Sequence, residues 1–170
     1  MDNPQQIPEF GIAREDEERR DGGAAIVFDP ETQKYAVGKH TEDGLLRLFS
    51  GGVDDGEDMQ SGTLREVVEE SGLDDYAQVE KIAEAIAHYH NILKNVNRAA
   101  YAVCYLVVLR SRRLVETHLE AHEKFTLEWA TEEEILENWR SRNDNHDYDH
   151  WIYFLEKARQ RLHELGYSQA

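Results

Sequence analysis

The sequence predicts a mixed α/β fold, with helices packed on a sheet whose strands do not all run the same way. Short apolar or alternating runs at 24–28, 34–38, 45–49, 79–89, 99–109 and 125–129 read as strands. Helical spacing of apolar residues appears around 64–71 and again at 149–165. Strands and helices mix without strict alternation, which points to a mixed sheet rather than a regular crossover array.

The elements follow in order. Residues 1–22 are polar and charged and read as a short helix or a partly ordered lead-in. The strand at 24–28 is followed by Asp29-Pro30-Glu31-Thr32, turn chemistry with proline fixing φ, and by its hairpin partner at 34–38. A polar link at 41–44 leads to the strand at 45–49. Residues 51–62 contain four glycines and four acidic residues and read as a loop. A helix from about Ser61 to Ser71 stops at Gly72, a residue type suited to helix C-termini. The strands at 79–89 and 99–109 are joined by a polar link around Lys94 to Asn97. Thr131 and Glu134 form a capping box that opens a helix through about Trp139. The last helix runs from about Asp149 to Leu165, with Trp151, Phe154, Leu155, Ala158, Leu162 and Leu165 at helical spacing, and stops at Gly166.

The chain has 170 residues, 40% of them hydrophobic, enough for one compact domain spanning 1–170. Against 35 acidic residues stand 19 basic ones, a net charge of −16. That field repels long nucleic acids and anionic membranes, and a phosphorylated substrate needs something local, such as divalent cations, to overcome it. The single cysteine, Cys104, lies in an apolar strand and reads as a small core residue. No signal-peptide core or membrane-length apolar run is visible, so a cytoplasmic protein is expected.

The chemistry concentrates in residues 51–73. On a helix, Leu64, Val67, Val68 and Ser71 share one face and Glu66, Glu69 and Glu70 share the opposite one. Three adjacent carboxylates repel one another. They are either a solvated acidic face or a cluster of hard oxygen ligands for Mg²⁺ or Mn²⁺. The spacing around them is Gly51, five residues, Glu57, seven residues, Arg65-Glu66, apolar Val67, one residue, Glu69-Glu70, one residue, Gly72 and apolar Leu73. By chance such a pattern matches a given window on the order of once in 10⁹.

This stretch resembles the Nudix box of the Nudix hydrolases in full. The resemblance in element order covers 23–165, but only the box is specific. It implies an α/β/α sandwich, and a Mg²⁺-dependent hydrolase (Mn²⁺ being an alternative ion) that cleaves a diphosphate linkage in a nucleoside diphosphate derivative. Dinucleoside polyphosphates, ADP-ribose and nucleotide sugars are the candidate classes. It implies metal ligation by Glu66, Glu69, Glu70 and the backbone carbonyl at Gly51. Arg65 would orient the glutamates, together with Glu57. The general base would be a box glutamate or one from the later loop, where Glu120 and Glu123 are the candidates and Glu123 is preferred. Solvated loop charges are an equal reading of both. Where many family members have proline before the paired glycines, this chain has Ser50, which puts the loop shape but not the ligand set in question. Many relatives dimerise, so a homodimer stays open.

Substrate contacts are less specific. Tyr89 resembles the tyrosine downstream of the box in dinucleoside polyphosphate hydrolases and could stack on a base, or be an ordinary strand aromatic. Lys94, Asn97 and Arg98 form a basic patch suited to terminal phosphates or a base edge, or to a solubilising hairpin turn. His88 and His90 either line the pocket or are structural. In His146-Asp-Tyr-Asp-His150, Asp147 or Asp149 is expected to cap the last helix. Two other functions compete. A catalytically inactive nucleotide sensor on the same fold would usually have lost box carboxylates, and this chain retains them. A prenyl diphosphate isomerase would need Cys104 as an acid–base group, against its apolar setting.

Overall fold

The computed structural model describes residues 6–167. In chain order the elements are β1 (Glu9–Phe10), β2 (Glu18–Arg19), β3 (Gly22–Asp29), β4 (Lys34–His40), β5 (Leu46–Arg47), β6 (Phe49–Gly52), α1 (Met59–Ser71), β7 (Tyr76–Asn91), β8 (Val96–Leu109), β9 (Phe125–Ala130), α2 (Glu132–Arg140) and α3 (Asp149–Glu164).

Among the described residues, the strands form a mixed sheet in the order β1-β7-β8-β3-β4-β5, with β2 on β8, β6 on β3 and β9 on β4. β7 and β8 make a long antiparallel hairpin, whereas β8 runs parallel to β3. Side chains of β3 and β8 alternate between two cores, as strand geometry requires. Ala24, Ile26, Phe28, Cys104 and Leu106 face Trp139 of α2 and Phe154, Leu155, Ala158 and Leu162 of α3. Ala25, Val27 and Val107 face Val67 of α1, with Phe49 and Leu73. The result is helices on both sides of the sheet, an α/β/α sandwich.

Several local expectations change. The strand expected at 45–49 divides into β5 and β6, and β6 carries Gly51 and Gly52 into a ladder with Gly23 and Gly22. The helix expected from Ser61 begins two residues earlier, at Met59, because Asp58 caps it by accepting the N–H groups of Gln60 and Ser61. Its end is as expected: Gly72 takes φ +78, left-handed backbone that glycine adopts at no steric cost. The lead-in is not helical over 9–19. It supplies β1 and β2, which pair in parallel with β7 and β8. Thr131 caps α2 as expected, but Glu134 returns to the Thr131 hydroxyl rather than to its backbone N–H.

The expected aspartate cap of α3 is also overturned. Tyr148 occupies the N-cap without a side-chain bond. Asp147 is already engaged, by Arg14 at 2.7 Å and by the His90 backbone N–H at 3.2 Å. Asp149 accepts from Asn143 at 2.6 Å and contacts the His146 ring. No described helix is long and apolar enough to cross a membrane.

Candidate active site

α1 brings the box glutamates against β5 and β6 rather than into solvent. Glu70 is only 3% exposed, as sequestered as the apolar face of the same helix. Its Oε1 accepts the Ser50 N–H at 2.9 Å, while Oε2 is buried without a hydrogen-bond partner, 3.6 Å from Arg47. Burial pushes its carboxyl well above the usual range; Arg47 opposes this and the Glu123 carboxylate reinforces it. Glu66 is likewise tucked in: burial pushes it up to about 7, with Arg65 pulling down and Glu69 and Glu123 pushing up. Glu69 is the more open of the three. The solvated-face reading therefore fails for Glu66 and Glu70.

Gly51 explains how Glu66 fits. A side chain on Gly51 would put its Cβ 2.5 Å from the Glu66 carboxyl carbon, so only glycine leaves that carboxylate its place. Arg65 holds the cluster from the outer side. Its Nε and Nη2 donate to Glu57 at 2.9 and 3.0 Å, and its Nη1 donates to Glu66 and Glu69 at 3.1 and 3.2 Å. That fork lowers the Glu57 carboxyl and occupies the guanidinium, as expected for an orienting residue.

The site opens into a cavity of about 280 Å³. Glu66, Gly51, Glu120, His122 and Glu123 line one end. Ligand atoms of Glu120, His122 and Glu123 lie within 4.8 Å of one another, and Glu123 accepts the Glu120 N–H at 3.0 Å. The loop candidates thus meet the box glutamates in space, though some 50 residues separate them in sequence (Glu66 to Glu120, 54 positions).

Tyr89, Lys94 and Arg98 also line this cavity, as does His90. Tyr89 stacks on His150 of α3 with ring centroids 5.5 Å apart. Burial raises its phenol, and Arg98, Arg20 and Arg47 act against that rise. Burial also drives His150 down to about 4, so it is neutral near pH 7. Lys94 is exposed at the hairpin tip, whereas Arg98 is buried. Asn97 serves structure, bonding the His90 ring at 2.9 Å and the Glu15 carbonyl. His88 is structural, clamped between Glu17 at 2.8 Å and Glu9 at 2.5 Å. Sequence reasoning passed over Arg20, Arg47, His122 and His150 as pocket residues. Only His122 carried a local signal, its position beside Glu120 and Glu123. Cys104 is fully buried, and burial holds its thiol protonated.

A family model described as NUDIX domain matches residues 18–154. The chain belongs to this Nudix family. In fold it is similar to the NUDIX domain of Shewanella oneidensis NrtR complexed with ADP ribose, with TM-score 0.60 and 17% identity over 86% of this chain and 90% of that one. It is also similar to C. elegans Ap4A hydrolase, with TM-score 0.53 and 13% identity over 85% of this chain and 99% of that one. The MutT protein of Methanosarcina mazei Go1 gives TM-score 0.52 and 18% identity over 88% and 98%. At these identities the likeness is one of fold. No curated protein matches the sequence.

Proposed function

We propose that this Nudix protein hydrolyses a diphosphate linkage in a nucleoside diphosphate derivative with the help of Mg²⁺, Mn²⁺ serving as a substitute. One observation carries the reading: every carboxylate of the box is present, Glu66 lines the acidic end of the cavity with Glu123, and the Glu123 carboxylate also acts on the buried Glu70. The donor set fits a hard divalent cation. It is all oxygen, it is crowded with like charge, and the buried Oε2 of Glu70 has no hydrogen-bond donor. Glu66, Glu69, Glu70 and the Gly51 carbonyl would hold the ion. When bound, such an ion neutralises the diphosphate and lowers the pKa of a nearby water.

The chain's own groups do the rest. Glu123 takes the proton of the attacking water as its oxygen bonds to phosphorus and the bridging P–O bond breaks. Its carboxylate is aimed by the Glu120 N–H. Arg65, with Glu57 behind it, fixes Glu66 and Glu69 at ligand positions. Tyr89, backed by His150, offers an aromatic face for a base, and Lys94 and Arg98 offer charge for phosphates. An isomerase reading has no support, because Cys104 cannot serve as an exposed acid–base group.

The test is incubation with Mg²⁺ and a panel of dinucleoside polyphosphates, ADP-ribose, nucleotide sugars and nucleoside triphosphates, with Glu69→Gln in parallel. The expected result is metal-dependent release of a phosphorylated product, reduced by a factor of at least about 100 in Glu69→Gln. Binding of these ligands with no turnover would overturn the hydrolase reading in favour of a sensor.

A further inference from the structure

The cavity has a second end of opposite charge. Arg98 lines it, is only 3% exposed, and its Nε and Nη1 make no hydrogen bond. Glu18 Oε1 lies 3.0 Å from Nη1 without aligning as an acceptor, and Glu18 is itself largely exposed. Arg20 lines the same cavity and has no carboxylate within ion-pair distance among the described residues. Arg47 is turned towards Glu70, 3.6 Å away, and lies over the Phe125 ring, and its Nε too is buried without a hydrogen bond.

The two arginines border a floor of small residues, Gly22, Ala100 and Ala102, which leaves their side of the sheet open. Arg98 stands opposite Tyr89 in the β7–β8 ladder. Arg20 is placed by Gly52: its guanidinium fills the space where a Gly52 side chain would stand, just as Glu66 fills that of Gly51. Gly51 and Gly52 are neighbours on β6, so their missing side chains point to opposite faces of the strand, with Glu66 on one and Arg20 on the other.

A buried guanidinium with unused donors is costly unless an anion meets it. In a chain of net charge −16, a buried arginine with unused donors beside a second arginine that meets no carboxylate among the described residues calls for a ligand. Phosphate suits the guanidinium fork because it accepts two parallel N–H bonds. We propose that the substrate carries a further phosphate group, beyond the two joined by the hydrolysed linkage, and that Arg98 and Arg20 bind it. Glu18 is the weak internal ligand that this phosphate displaces from Arg98. The assignment rests on the diphosphate reading of the acidic end. The phosphate stands either further along the same chain or on the sugar.

Binding is measured by calorimetry in EDTA, so that no divalent ion contributes, with two probe pairs: ATP against ADP, and NADP⁺ against NAD⁺. The expected result is a preference of roughly tenfold or more for the extra phosphate in one pair. The pair that shows it names the source. Arg98→Ala and Arg20→Ala each remove most of that preference, and Arg110→Ala, an exposed arginine at the far end of the hairpin, leaves it intact. Arg20 is exposed, so its variant keeps the test valid if Arg98→Ala fails to fold. Equal affinity within both pairs overturns the proposal. So does a preference that survives Arg20→Ala, or one that Arg110→Ala removes equally. A preference without Mg²⁺-dependent cleavage would sink the hydrolase reading and leave this one standing; cleavage without a preference would do the reverse.

Discussion

Gly51 decides whether the box glutamates can gather. Its missing side chain is the room into which Glu66 folds, and a Cβ there would meet the carboxyl carbon at 2.5 Å. Gly51→Ala therefore displaces a proposed ligand while leaving the core of α1 untouched, since Val67 and Leu73 pack on the other side. Activity is expected to fall at least about tenfold, given the sensitivity of such sites to displacements near 1 Å, while the melting temperature changes little. Unchanged turnover in Gly51→Ala would mean that Glu66 is not a ligand. The proposed ligand set was legible in the sequence through the resemblance of the box, whose glycine, arginine and glutamates stand at fixed spacing, but the room that Gly51 leaves for Glu66 was not. Nor was the burial of Glu70, because it depends on Arg47 and Ser50 from β5 and β6.

Among the elements, β1 and β2 depend on side-chain ties more than on their two-residue ladders. His88 on β7 is their anchor, held by Glu9 and Glu17. Burial pushes its imidazole down, but the two carboxylates outweigh this and the net shift is upward from 6.5. The His88 bond in turn lowers the Glu17 carboxyl below 4.5. The signs set a window. The histidine contribution is complete below 6.5 and is lost as pH rises through its raised folded value. The Glu17 contribution is complete above 4.5 and is lost as pH falls through its depressed value. His88→Gln is thus expected to cost roughly 1–3 kcal/mol near pH 5.5 and less by pH 8.5, as read by urea unfolding at both. A deficit independent of pH would refute an ionic clamp. Nothing in 1–22 announced these strands: two-residue elements have no periodicity, and their partners lie some 80 positions away (Glu18 to Arg98). For the same reason Asp147, which looked like a helix cap in its local sequence, turned out to answer Arg14.

For the molecule as a whole, charge is arranged against its own average. The chain carries −16, yet Arg20, Arg47 and Arg98 converge on the cavity whose other end holds the glutamates. The strand and helix patterns made a mixed sheet with packed helices legible in the sequence, and the sandwich followed from the resemblance of the box. The cavity was not legible, because its walls come from β3 to β8, from α1 and α3, and from the loops that precede β3, β9 and α3. The net charge also separates two effects of added salt. Screening of self-repulsion by monovalent salt raises the melting temperature without any site, because the Debye length falls to about 10 Å near 0.1 M. A bound Mg²⁺ adds to this by mass action. At tenfold above its dissociation constant it contributes about 1.4 kcal/mol, a rise of roughly 3–6 °C for a chain of this size. MgCl₂ is therefore expected to raise the melting temperature more than NaCl at matched ionic strength, and the excess should vanish in the Glu66→Gln/Glu69→Gln double variant. That variant still carries most of the acidic surface, so screening alone would persist in it. Equal gains from the two salts in the unaltered chain would mean that the clustered carboxylates hold no specific ion.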